Sequence, residues 1–160
     1  MAEIGVISAL SRNDIGFTWV TVFELICKQY VYELARAGQL DVVPASVGRW
    51  WGTDNRTHTQ EEIDLIVDDG EGTALFAECK WRNEPAGADV LQKLVHRSEL
   101  FRRQRKSYAL FSKSGFTQGC RDAAESRGRR QTDLVSRDVR AQRRLPRPRY
   151  RKTICYTWRP

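Results

Sequence analysis

The chain has no apolar run of membrane-spanning length and no secretory signal pattern. The most apolar stretch, Val20 to Leu34, is broken by Glu24, Lys28, Gln29 and Glu33. A soluble, cytoplasmic protein without a membrane partner is the expectation. Histidine and cysteine are scarce too, with 2 and 4 in 160 residues. No two of Cys27, Cys79, Cys120 and Cys155 stand at Cys-x-x-Cys spacing, which argues against a zinc site, and they read as reduced thiols. His58 and His96 form no metal-spaced pair. No Gly-x-x-x-x-Gly-Lys-Ser/Thr occurs, so a nucleotide-binding P-loop is excluded from this chain. No internal repeat is evident.

What is present is charge, unevenly placed. The net charge of +7 divides into −7 over residues 1–100 and +14 over residues 101–160. A basic half is a prior for nucleic-acid contact, because Lys and Arg displace phosphate counterions. A solvated tail that binds nothing specific is the competing reading. At 160 residues, one domain with a real core is expected.

Periodicity orders the elements. Val20, Phe23, Cys27, Val31 and Leu34 recur at three- and four-residue steps, predicting a helix from Phe17 to Ala37 with Gly38 as its stop. Glu24 falls on that stripe or at its edge. Leu40 to Val47 reads as a strand, at an edge because of Pro44. Gly48-Arg49-Trp50-Trp51-Gly52 and the polar residues to Gln60 read as a hairpin-like connection. Ile63–Val67 and Thr73–Trp81 read as strands joined by the Asp68-Asp69-Gly70-Glu71-Gly72 turn. Ala88 to Arg103 reads as a helix and Ser107 to Ser112 as a strand. A last helix runs from an N-cap at Thr117 to Gly128. The sum is an α/β fold, a mixed sheet flanked by helices. Residues 1–16 form an N-terminal segment, 17–128 the domain, and 129–160 a basic tail read as loop or disorder, with Gln131 to Val135 as a candidate strand.

Within this frame Glu78 and Lys80 share a strand face. Strict alternation puts Asp64 on the face of Glu62, Ile66 and Asp68, opposite Ile63, Leu65 and Val67. If the two strands pair, Asp64, Glu78 and Lys80 can converge. Two carboxylates beside an ammonium suit Mg²⁺ and a phosphodiester, whereas a structural reason to bury three charges is not obvious. The bland alternative is a surface salt-bridge cluster.

The ordered set Glu24, Asp64, Glu78-Cys79-Lys80 and a later helix polar residue resembles the PD-(D/E)XK nuclease superfamily, which includes restriction enzymes and Holliday-junction resolvases. Gln92 best matches that later polar position, and Lys93 is an alternative. Gly48–Gly52, Glu62-Ile63-Asp64, Glu78–Trp81 and Ser112–Thr117 are similar to a module at the C-terminal end of AAA-type ATPases of the archaeal group. The resemblance covers residues 17–128, and the arginine-rich end departs from it. It implies a restriction endonuclease-like fold and a catalytic set of Glu24, Asp64, Glu78, Lys80 and Gln92. Asp64, Glu78 and the Cys79 carbonyl would hold Mg²⁺ (or Mn²⁺). Lys80 would orient or deprotonate the attacking water, or stabilise the transition state. Glu24 would bind the metal through water, or a second metal; its bland reading is a helix-edge glutamate paired to an arginine. Gln92 would position Lys80 or a phosphate. The products would be a 5′-phosphate and a 3′-hydroxyl.

DNA is the implied partner, and nucleases of this fold often act as homodimers. The alternative is a catalytically silent DNA-binding or regulatory module working with an AAA-type ATPase. A third class, an interaction protein of toxin-like role, rests only on small size and the basic tail. Trp50, Trp51 and Trp81 could stack on bases, though core or lid packing is the commoner use. Arg102, Arg103, Arg105 and Lys106 could track a phosphate backbone, or form a solvated helix end.

Overall fold

A computed structural model describes residues 12–131, 134–138 and 153–157, with side-chain surroundings for 19–127. The elements run α1 (Arg12–Arg36), β1 (Ser46–Asp54), β2 (Thr59–Asp68), β3 (Thr73–Lys80), α2 (Ala88–Ser98), β4 (Arg105–Ser112), α3 (Gln118–Gln131), β5 (Leu134–Asp138) and β6 (Thr153–Thr157). They form the expected α/β fold. The sheet is mixed, in the order β1-β2-β3-β4-β6-β5. β1, β2 and β3 pair antiparallel, and β4 joins β3 in parallel. No helix among the described residues is long and apolar enough to cross a membrane.

One core lies between α1 and the sheet: Phe23, Cys27, Val31 and Leu34 meet Leu65, Val67, Leu75, Ala77 and Cys79. These are four of the five residues of the stripe that periodicity selects; the fifth, Val20, is exposed. The other core joins Val90, Leu91 and Leu94 of α2, with Cys120 and Ala124 of α3, to Ile63, Ala74, Phe76 and Leu110. Every residue from Thr73 to Cys79 is buried, as expected of a central strand covered on both faces.

Local chemistry sets the ends. α1 closes at Gly38, whose φ of 63° lies in the left-handed region, and Gln39 N–H donates to the Leu34 carbonyl at 2.8 Å. Thr117 Oγ1 accepts from Cys120 N–H at 3.2 Å, the expected cap of α3. α3 nevertheless runs through Gly128 to Gln131. α2 ends at Ser98, five residues before Arg103, because Phe101 turns inward against Trp50 and Phe76.

Of the strand expected at Leu40–Val47, only Ser46 and Val47 are extended, as the start of β1. Pro44 has no N–H to donate, and the first cross-strand bond is Ala45 N–H to the Asp68 carbonyl. Gly48–Gly52, expected as a connection, is the interior of β1. Trp50 holds it there by packing edge-on to Phe101 at 5.0 Å. Gly52 is needed beside it, since a Cβ would stand 2.5 Å from the indole of Trp50. The segment read as a tail contributes β5 and β6, parallel to one another and to β4. Their cores, Leu134-Val135 and Ile154-Cys155-Tyr156, are short runs of strand-favouring residues. Residues 1–11, 132–133, 139–152 and 158–160 lie outside the described residues, so the strand expected at Gln131 to Val135 falls partly on them.

Candidate functional site

An irregular step in β2 builds the site. Gly48 pairs with Ile66, but Trp50 pairs with Ile63, so Arg49 faces both Asp64 and Leu65. This is a β-bulge with the extra residue on β2. Leu65 and Val67 therefore join the α1 core, while Ile63 and Ile66 belong to the α2 side. The strict alternation expected for this strand fails at Asp64, because the extra residue shifts the phase of everything before it.

Beyond the bulge, β2 and β3 part. Their ladder runs from Asp68↔Ala74 to Leu65↔Ala77 and stops there. Asp64 Oδ2 then takes over as acceptor for the Cys79 N–H, at 2.7 Å. The gap lets groups from both faces of the sheet meet. Leu75, Ala77 and Cys79 face α1, so Glu78 and Lys80 face α2. Lys80 Nζ donates to Glu78 Oε1 at 2.5 Å, and Arg97 Nη1 of α2 approaches the same oxygen at 3.4 Å. Glu78 Oε2 is buried and has no hydrogen-bond partner among the described residues. A buried carboxylate oxygen left unpaired is costly and marks a place where a ligand would be welcome.

The electrostatics agree. Burial, and then the charge of Asp64, push the Glu78 carboxyl above its usual range, and Lys80 does not fully offset them. Burial likewise raises Asp64, against the Cys79 N–H and Lys80. Glu24 is raised by burial and by Asp64. The charge of Asp64 thus acts on both Glu78 and Glu24.

Glu24 approaches this cluster from α1 and also pairs with Arg49 Nη1 at 3.6 Å. Arg49 in turn binds Glu62. The Cys79 side chain is buried in the α1 core, and its thiol is pushed well up by a hydrogen bond with Cys27 and by burial, which leaves the backbone as its contribution. Gln92 makes no hydrogen bond with Lys80; it is exposed on α2 and lines an open groove with Lys93, His96, Arg97 and the start of β2.

Sequence reasoning missed three residues here. Arg97, one turn and a residue after Gln92, is the α2 group that reaches Glu78, and its Nε binds Glu61 at 2.7 Å. Arg49 sits inside a motif already singled out, but its partners depend on the bulge. Ser112 pairs with Lys80 in the β3–β4 ladder, and its buried hydroxyl also has no partner among the described residues.

Hard oxygen donors suit Mg²⁺, which keeps several of its own waters and needs few protein ligands. Asp64, the unpaired Oε2 of Glu78 and a backbone carbonyl are the oxygens available for one. Among the described residues, no three His, Cys, Asp or Glu side chains stand close enough to hold an ion by themselves.

A carboxylate gap in a mixed α/β sheet, beside a lysine, is the class of site. The chain belongs to the DUF234 family, described as archaeal and bacterial proteins of unknown function, whose pattern matches residues 11–106. That span covers α1 through the start of β4 and therefore the whole carboxylate cluster. An uncharacterized protein of Methanocaldococcus jannaschii, MJECL04, is 40% identical over 82 residues. The match covers 51% of this chain but only 16% of that protein, so the chain corresponds to a small part of that relative. No solved structure matches.

Proposed function

We propose that the domain is a metal-dependent DNA endonuclease of PD-(D/E)XK type. The observation that carries this reading is Glu78: a buried carboxylate with one oxygen held by Lys80 and the other unpaired, beside the half-buried carboxylate of Asp64. Asp64 and Glu78, with the Cys79 carbonyl, are the residues that would hold Mg²⁺ or Mn²⁺. When bound, the ion supplies Lewis acidity and lowers the pKa of a bound water.

The protein's own groups do the rest. The Cys79 N–H fixes Asp64 Oδ2 and so aims Oδ1. Lys80 and Arg97 fix Glu78 Oε1 and so present Oε2. Lys80, partly exposed at the mouth of the gap, is placed to orient the attacking water and to receive developing phosphoryl charge. Glu24, held by Arg49 and within reach of the Asp64 charge, would accept a hydrogen bond from a water in the gap. DNA as substrate, action in the cytoplasm and a homodimer are parts of this proposal.

A second reading follows from length. The chain corresponds to 16% of its archaeal relative. A catalytically silent DNA-binding module working with an AAA-type ATPase fits a domain that is a small part of a larger machine.

Titrating Mn²⁺ into wild type and Lys80→Ala with labelled linear, single-stranded and four-way-junction DNA separates the two. Cleavage by wild type alone is the expected result. DNA binding without cleavage in either protein would sink the nuclease reading in favour of the silent module.

A further inference from the structure

We infer that Trp51 is a stacking platform for an unpaired base of a DNA strand entering the Asp64–Glu78 gap. This rests on the nuclease reading and names its substrate class, single-stranded or locally opened DNA.

The tryptophans of the two motifs have separate fates. Trp50 packs against Phe101, and Trp81 lies 6.0 Å from the Trp19 ring while receiving Lys113 at 4.8 Å. Trp51 is 76% exposed and makes no ring contact with any described residue. So large an apolar side chain held in water needs a reason.

Its position supplies one. The extra residue of the bulge lies on β2, so β1 keeps its alternation. Val47 packs into the α1 core, Arg49 reaches Glu24, and Trp51 follows on the same face. Two residues along a strand span about 7 Å. The indole thus stands one short step beyond the arginine that faces Asp64. It borders a groove of about 400 Å³ lined by Gly52, Thr53, Gln60, Glu61 and Glu62. Both glutamates are ion-paired, Glu62 with Arg49 and Glu61 with Arg97. Thr53 and Gln60 offer uncharged hydrogen-bonding groups to base edges.

Stacking on an indole is open to any base whose face is free. In an intact duplex those faces are covered by neighbouring bases, and exposing one requires unstacking. The platform therefore favours unpaired over paired DNA.

The test measures binding of labelled oligo(dT) and of a blunt duplex, in Ca²⁺, to the full chain and to Trp51→Ala and Trp51→Phe. Cleavage by wild type in Mn²⁺ is scored in parallel. Trp51→Ala is expected to weaken oligo(dT) binding by about 5- to 100-fold. Trp51→Phe should retain most of the affinity, and duplex binding should not change. Wild-type cleavage with undiminished oligo(dT) binding by Trp51→Ala overturns the platform and leaves the nuclease reading standing. An equal loss on duplex overturns the preference for unpaired bases. A wild type that neither binds nor cleaves any of these DNAs overturns both; capture of an arginine-rich peptide by Trp51 in that case would mean a cation–π site instead.

Discussion

Asp54 and Glu78 are both carboxylates withdrawn from water, at 1% and 4% exposure, and the fold treats them in opposite ways. Asp54 ends β1 and accepts the Arg56 backbone N–H at 2.9 Å and its guanidinium at 2.9 and 3.0 Å, with His96 at 3.8 Å. Arg56 holds its carboxyl down to about 2. Glu78 has two cations crowded on one oxygen and nothing on the other, and its carboxyl is pushed up. A satisfied buried charge fastens a turn onto a helix. An unsatisfied one beside a like charge is an unfavourable arrangement unless something binds there, and that difference separates scaffold from site.

The sharpest way to break this contrast is to neutralise each member. Lys80→Ala and Glu78→Gln should each lower Mn²⁺-dependent cleavage by a factor on the order of 10²–10⁴ in a single-turnover assay, while Asp54→Asn leaves the chemical step nearly intact. If Asp54→Asn costs as much as Glu78→Gln, the two carboxylates are not distinct in kind.

Stability should run the other way. Asp54→Ala strips Arg56 of its main partner and the turn of its anchor, so the melting temperature should fall by several degrees in a thermal scan. Glu78→Gln and Asp64→Asn remove repulsion and the burial of charge, so the metal-free protein should melt higher than wild type. Such a trade of stability for function is usual at active sites.

A pH scan sharpens the same point. Asp54 has a depressed carboxyl, so its contribution is present above 3.8 and lost as pH falls towards about 2. Glu61, lowered by Arg97, acts in the same direction. Glu24, Asp64 and Glu78 are raised, so their contribution is full below the ordinary carboxylate range and is lost as pH rises through their elevated values. The difference in denaturation midpoint between Glu78→Gln and wild type should therefore grow from acid to neutral pH. A constant difference would mean that Glu78 is not raised.

The smallest effect is expected at Gln92. It is exposed, whereas Arg97 reaches Glu78, so Gln92→Ala should change cleavage by less than Arg97→Gln does. Rate comparison of the two variants checks which α2 residue serves the site.

The site was legible where chemistry and order suffice. Asp64 and Glu-x-Lys stand at the ends of apolar runs, and the Asp68–Gly72 turn forces those runs into an antiparallel pair. Gln92 matches a family position, with Lys93 as the alternative, whereas Arg97 carries no local signal: only the packing of α2 decides which of its residues reaches β3.

The amino-acid sequence by itself determined the α/β order, the buried stripe of α1, its glycine stop and the carboxylate–lysine grouping, because these depend on periodicities and turns within a few residues. The tertiary structure decided the bulge at Asp64, the opening between β2 and β3, the partners Arg49 and Arg97, and the exposure of Trp51 beside the burial of Trp50. Each of these depends on which strand or helix lies opposite, and a one-residue change in register leaves local pattern nearly unaltered while moving a side chain to another face.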